Sequence, residues 1–488
     1  MLVALYLLPL EACAEILFSW SQVVRGDKLS VRAVVPSGDS CPTLDVDHHS
    51  VRMGIRAHPE PGRFEDQVCE SLLPPSSVPR VIKVGGRRLP DIGIRTGHDR
   101  RDNVSRIAVV GDTGCRVSRL LKQDCKSPSK WPLREVLSKI SDQSPDLVVH
   151  IGDYLYRAVE CTDETKCDKH VYGDNSKTWV ADWLLPMQSV SDKLVFLFVR
   201  GNHEDCNRAH RGWFRYLDAH PLSEQRYSYR HCEEITDPWI FDLKRWGLGD
   251  VGLYVYDSSS SGEIFYRSRD VRNLREKFLK SVNLGRNSQM WLLTHRPLWA
   301  YWKNGIEYYG NLPQTRAIAE VIPEKFVAVF SGHVHFAQIL SVRRVGKAEA
   351  RKDAGRSPHT YARAGFLTQV ISGNGGAYLN EQKGKKPNTA LSSSLLTEVM
   401  PRDSGVSLNK VVGAVYRNMV LSGFTISNVN TFSGFGFCKI DIPINGKHSG
   451  VLGPQSVITF HGINGEESRR FFIGPPGSGR AGAYRTER

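Results

Sequence analysis

The stretch "VVHIGDYLYR", residues 148–157, decides the reading of this sequence. Apolar residues lead up to Asp153, and a tyrosine, Tyr156, follows three positions later. An aspartate after a buried strand is an ordinary turn former, so taken alone the stretch reads as a capped strand end. Its meaning changes because four other apolar runs end in the same way. "IAVVGDTG" (107–114) reaches Asp112, and "FLFVRGNHED" (196–205) reaches Asn202 and His203. "WLLTHRP" (291–297) reaches His295, and "VAVFSGHVH" (327–335) reaches His333 and His335.

Between these runs lie segments of helical periodicity. Leu133, Val136, Leu137 and Ile140 form the apolar stripe of an amphipathic helix. "WVADWLLPMQSV" (179–190) and the segment around Val271, Leu274 and Phe278 continue the alternation. Strand, helix, strand repetition predicts an α/β fold with βαβ crossovers in a largely buried sheet. Such sheets place their sites at the carboxyl ends of the strands, where all five runs deliver oxygen or nitrogen donors. The glycines before Asp112, Asp153, Asn202 and His333 permit the tight turns of such an edge. No Gly-rich phosphate loop, GxSxG elbow or HExxH motif competes. Carboxylate, amide and imidazole donors without thiolate point to iron, manganese or zinc. Seven candidate ligands exceed the needs of one ion, so two ions sharing a carboxylate are expected. Metal pairs roughly 3.5–4 Å apart serve phosphate-ester hydrolysis.

GDxG, GDxxY, GNHE, a strand-end histidine and GHxH, in this order, resemble the calcineurin-like metallophosphoesterase superfamily over residues 106–376. Tyr156, three residues after the second aspartate, resembles the mark of its purple acid phosphatase branch. The "CR" after GDTG, the "LYR" after GDY and the cysteine density resemble exported bacterial members. The resemblance implies a metallophosphoesterase β-sandwich flanked by helices, α/β (α+β) in class, with a small N-terminal all-β module. It implies Fe(III) on Asp112, Asp153, Tyr156 and His335. It places a second ion, Fe(II), Zn(II) or Mn(II), on Asp153, Asn202, His295 and His333, with Asp153 bridging. His203 takes the catalytic place facing the substrate phosphate or the leaving group. The implied reaction is acid phosphatase-like hydrolysis of phosphate monoesters by a metal-bound hydroxide. The sequence departs from the family in an N-terminal module shorter than the plant enzymes' β-sandwich. It departs again in the loop after the fourth motif, where plant and animal members carry a further histidine that helps protonate the leaving group but "THRPLWAYWKNGIEYYG" (294–310) holds none beyond His295. Arg296, Tyr301, Tyr308 and Glu204 are the candidates to replace it. Arg157 is expected either at the phosphate or against a neighbouring carboxylate. Two alternatives stand beside this reading. One is a phosphodiesterase or nucleotide pyrophosphatase on the same centre, set apart by the loops at 157–178 and 299–312. The other is a non-catalytic basic binding protein, against which the complete ligand set argues.

The 488-residue chain, with 40% hydrophobic and 24% charged residues, reads as ordinary globular protein. Its net charge of +14 suits an anionic partner. Aromatic residues do not interleave the basic clusters at 343–356 and 383–386, so a small phosphate ester is expected rather than nucleic acid. Residues 1–14 read as a possible signal-peptide remnant, without a basic residue before Arg25, or else as a first buried strand. No run reaches the roughly 18 apolar residues of a membrane span. Of ten cysteines, 41 and 69, 115 and 125, 161 and 167, and 206 and 232 are near neighbours in sequence, leaving Cys438 unpaired once Cys13 is removed. Disulfides in an oxidising compartment, periplasmic or extracellular, account for them better than metal. The expected organisation is a small β module over 15–100, a dimetal domain over 101–445, and closing strands with a disordered basic tail over 446–488.

Overall fold

The computed structural model describes residues 15–76, 80–92, 103–223, 227–228, 231–262, 267–300, 310–344, 366–380, 390–391, 424–432, 434–444, 455–468 and 470–473. Two large sheets dominate, one of ten strands and one of eight. In the first, Val104–Val110, Leu147–His150, Val195–Phe198 and Phe18–Val24 lie side by side and parallel. In the second, Val251–Val255, Gln289–Leu293, Phe326–Ser331 and Phe366–Ser372 do the same. Parallel neighbours need long crossovers. These carry the helices Leu133–Asp142, Ser268–Ser281 and Leu312–Ile318, and the composite helix at 176–188 with a π-helical turn at Val180–Leu184.

Alternation along each strand sorts its side chains into two cores. Ile107 and Val109 face the second sheet, packing with Leu197, Leu253, Leu293 and Phe330. Ala108 and Val110 face outward, under Leu133, Val136, Leu137, Ile140, Trp179 and Trp183. The second sheet repeats the arrangement, with Tyr254, Leu292 and Val329 beneath Leu274, Phe278 and Ile318. The result is a helix–sheet–sheet–helix sandwich, and strands covered on both faces explain the unbroken apolar runs.

The N-terminal residues are all β, as expected. "SVRMGIRA" (50–57) is not one strand, however. His49–Arg52 joins a four-stranded sheet with Thr43–Val46, Ile82–Val84 and Arg87–Leu89. Gly54–Ala57 lies at the edge of the ten-stranded sheet, and the buried Met53 marks the break. "TFSGFGFCKIDI" (431–442) likewise divides. Phe424–Phe432 belongs to the second sheet and Gly436–Pro443 to the first, with Gly434 at φ 92° where the chain crosses over. Ser456–Gly462 then closes the first sheet against Gly436–Pro443. The expected boundaries at 14, 100 and 445, residues 1–14, Tyr301, Tyr308, the cluster at 383–386 and the tail beyond 473 lie outside the described residues. So does the basic loop from 345 onward. The strands flanking it, Ala337–Arg344 and Phe366–Ser372, pair Ala337 with Ser372 and Arg343 with Phe366, so they open toward it at the end remote from His335. Among the described residues, no helix is long and apolar enough to cross a membrane. All four expected disulfides are present, and Cys438 is buried as a free thiol.

Candidate metal centre

Because the central strands of each sheet are parallel, their carboxyl ends meet at one edge of the sandwich. Asp112, Asp153 and Asn202 follow three adjacent strands of the first sheet; His295 and His333 follow two adjacent strands of the second. The turns carrying them are strained. Asp112, Asp153 and His333 have φ of 57°, 62° and 72°, a region that costs a non-glycine residue on the order of 1–3 kcal/mol. Close packing at the edge demands glycine. A Cβ on Gly201 would collide with Asp153 and Glu204, and one on Gly152 with His295.

The buried side chains converge in two groups. In the first, Tyr156 Oη lies 2.8 Å from Asp112 Oδ1, 2.6 Å from Asp153 Oδ2 and 2.9 Å from His335 Nε2. In the second, His295 Nε2 lies 3.1 Å from Asn202 Oδ1 and 3.2 Å from Asp153 Oδ1, and His333 Nδ1 lies 2.5 Å from Asn202 Oδ1. Donor atoms of Asp153, His295 and His333 all fall within 4.8 Å of one another. The two oxygens of Asp153 thus face different groups. All seven residues expected as ligands are brought together.

Their hydrogen bonding suits cations. Nδ1 of His295 lies 2.8 Å from Ile151 O and Nδ1 of His335 lies 2.7 Å from Tyr378 O. A carbonyl only accepts, so both Nδ1 atoms carry a proton and each Nε2 faces the donor cluster. The one proton of Tyr156 cannot satisfy two carboxylates and an imidazole. Charge gives the same result. Burial, then the charge of Asp153, pushes Asp112 up to about 8. Burial, with both carboxylates adding, raises Tyr156 well above its ordinary value. Burial pulls His335 down to about 4 and holds His333 well below its ordinary value. Burial acts to raise Asp153, but the charge of His295 and its hydrogen bond outweigh it and hold Asp153 low. Burial acts to lower His295, and Asp153 reverses this, raising it to about 9. A multivalent cation supplies the positive charge this acceptor-rich set lacks.

The residues around the donors divide. His203 donates its backbone N–H to Asp153 Oδ1 at 2.9 Å, and its half-buried ring leans on Tyr156 with centroids 3.9 Å apart. Arg296 Nη1 lies 3.3 Å from His333 Nε2. Arg157 takes the second of its two expected places: Nε donates to Asp182 Oδ1 at 2.6 Å and the guanidinium lies over Trp131. Glu204 departs from expectation. Its fully buried carboxylate turns inward and accepts the backbone N–H groups of Gly201, Asp153, Tyr154 and Leu155 at 2.9–3.2 Å, which ties the Asn202 turn to the Asp153 turn. His150 escaped sequence reasoning. It lies beneath the site, 2.8 Å from Thr113 Oγ1 and stacked on Tyr154. A histidine interrupting an apolar run was the available signal.

The calcineurin-like phosphoesterase family model matches residues 105–337, from the first central strand to the residues just past His335. The matched segment contains both donor groups, and the match supports hydrolysis of phosphoesters at a metal centre. Its architecture is similar to that of purple acid phosphatase PPD1 from yellow lupin (Lupinus luteus) seeds, with a TM-score of 0.53 and 13% identity over 95% of this chain and 75% of that one. A structure of PhoD aligns with a TM-score of 0.48 and 10% identity over 95% of this chain and 93% of that one. At 13% identity the likeness to the lupin enzyme is one of fold. No curated protein matches the sequence.

Proposed function

We propose that this protein is an exported, acid phosphatase-like hydrolase of phosphate monoesters with a dinuclear Fe(III)–M(II) centre, M being Fe(II), Zn(II) or Mn(II). The observation that carries the reading is the division of Asp153 between two unlike donor sets. One set offers oxygens from Asp112, Asp153 and Tyr156, three anions once a cation displaces their protons, and suits a trivalent ion. The other holds Asp153 with neutral Asn202, His295 and His333, and suits a divalent one.

Two such ions, when bound, supply charge stabilisation for the phosphoryl group and activation of the attacking water. The chain does the rest. Asp153, fixed by the His203 N–H and turned by its positive φ, holds the two donor sets in register. Burial lowers the pKa of His203, so its ring is neutral and presents one N–H to a phosphate or leaving-group oxygen. The guanidinium of Arg296, beside His333, adds positive charge that favours a dianionic monoester over a monoanionic diester.

The test is turnover of p-nitrophenyl phosphate and bis(p-nitrophenyl) phosphate by metal-loaded protein across pH. Faster hydrolysis of the monoester, with its optimum on the acid side, is expected. Faster hydrolysis of the diester assigns the same centre to a phosphodiesterase. No turnover of either ester with two ions bound contradicts the enzymatic reading.

A further inference from the structure

Gln123 lies outside the ligand set, in a short hairpin closed by the Cys115–Cys125 disulfide. Its own N–H donates to Arg116 O at 2.9 Å, and Val117 bridges Lys122 beside it. The residue is 3% exposed. Its side-chain amide is fully used. Oε1 accepts the N–H groups of Arg116 at 2.9 Å and Tyr378 at 3.1 Å. Nε2 donates to the carbonyls of Lys130 at 2.7 Å and Gly376 at 2.8 Å.

Gly376 and Tyr378 belong to the segment that leaves the strand Phe366–Ser372 and passes beneath His335. The Tyr378 carbonyl accepts Nδ1–H of His335 at 2.7 Å. Asn380 brackets the same histidine: its N–H donates to His335 O at 2.9 Å, and its Oδ1 accepts the His335 N–H at 3.2 Å. No secondary-structure ladder holds this segment. Backbone bonds from Gly375 to Gly111 O at 3.0 Å and from Ala377 to Asp112 O at 2.8 Å tie it to the Asp112 turn, and its stretch beside His335 depends further on Gln123, which grips it on either side of Ala377. His295 has no such dependence, because the carbonyl orienting it, Ile151 O, continues a strand of the first sheet.

We infer that Gln123 is the positioning residue for His335: by clamping the backbone at Gly376 and Tyr378 it sets the carbonyl that selects the tautomer with Nε2 turned toward Asp112, Asp153 and Tyr156. The inference rests on the proposed metal centre and adds an asymmetry to it. Gln123 governs the donor set containing His335 and leaves the set containing His295 and His333 alone. Losing an outer partner of a ligating histidine costs about 10- to 100-fold in metal affinity.

The test is calorimetric titration of oxidised, full-length apo-protein with Zn(II). Wild type is expected to fill two sites. In Gln123→Leu, one site weakens about 10- to 100-fold and the other is unchanged. His335→Ala weakens the same site, and the double variant loses no more than His335→Ala alone, because both changes act through one ligand. Gln123→Asn, whose shorter amide cannot span both ends, shows the same selective loss and serves if the leucine variant does not fold. Equal weakening of both sites, unchanged affinities, or additive losses in the double variant overturn the inference while leaving the metal centre standing. Absence of Zn(II) binding by wild type overturns the metal centre and the inference together.

Discussion

Oη of Tyr156 stands 2.6 Å from Oδ2 of Asp153, while Oδ1 of the same carboxylate stands 3.2 Å from Nε2 of His295. One side chain thus joins a phenol held on the first sheet to an imidazole held on the second. Asp153 occupies the seam of the sandwich, and removing it separates the two donor sets.

Chelation should therefore destabilise the protein as well as silence it. Metal that binds only the folded state at 100 times its Kd adds about 2.7 kcal/mol of stability. The melting temperature of wild type should fall on chelation, and that of Asp153→Asn should start low and not respond. An unchanged wild-type melting temperature contradicts metal binding at this cluster.

Glu204 acts as a backbone tether. Glu204→Ala leaves four N–H groups in the interior without their acceptor, and each unsatisfied group costs about 1–3 kcal/mol. A loss on the order of 4 kcal/mol is expected in urea denaturation of apo-protein. A loss below about 1 kcal/mol contradicts the tether.

Acid should release the contact between the N-terminal strands and the segment at 214–220. Glu70 pairs with Arg32 at 2.8 Å and Arg56 at 3.1 Å, and these arginines donate to the carbonyls of Phe214, Arg215, Tyr216, Asp218 and His220. Burial acts to raise the Glu70 pKa, but the two guanidinium charges overcome it and hold the carboxyl down to about 2 against 4.5 unfolded. The folded-state value is depressed, so the stabilisation is present above pH 4.5 and is lost as pH falls toward 2. It amounts to on the order of 3 kcal/mol. Glu70→Gln should flatten the decline of the melting temperature across this window. An equally steep decline in the variant contradicts the assignment.

Reduction should loosen the ligand turns. Cys115, Cys161 and Cys206 follow Asp112, Tyr156 and Asn202 closely in sequence, and each is disulfide-bonded. Behind Asn202, the Arg200 guanidinium lies 3.7 Å from both sulfurs of Cys206–Cys232. Cys232→Ser should cost about 3 kcal/mol and lower the metal content of the purified protein. Full metal occupancy in the variant contradicts a role for this bond at the site.

Much of this was legible in the sequence because buried parallel strands have a strong signature. An unbroken apolar run ending in Gly-Asp, Gly-Asn-His or Gly-His marks both a strand and the edge it points to. The helix stripe at Leu133, Val136, Leu137 and Ile140 was equally plain. Short strands were not, since "SVRMGIRA" alternates correctly on both sides of Met53 and nothing local shows that its halves join different sheets. Glu204 was misread for a similar reason. A carboxylate beside Asn202 and His203 suggests solvent and substrate, and only the return of the Asp153 turn in three dimensions reveals the backbone donors it accepts. Gln123 left no local mark, because its partners at 376 and 378 are distant in sequence.

In the proposed centre Tyr156 and Asp153 would hold a ferric ion, and Asp153 would also reach a second, divalent ion. The most direct test is the visible spectrum of iron-loaded wild type and Tyr156→Phe, with metal content measured on the same samples. Two ions per chain and a phenolate-to-iron charge-transfer band are expected in wild type, with loss of that band in a folded Tyr156→Phe protein. A colourless wild type holding two zinc or manganese ions, or a band that survives the substitution, contradicts the proposed centre.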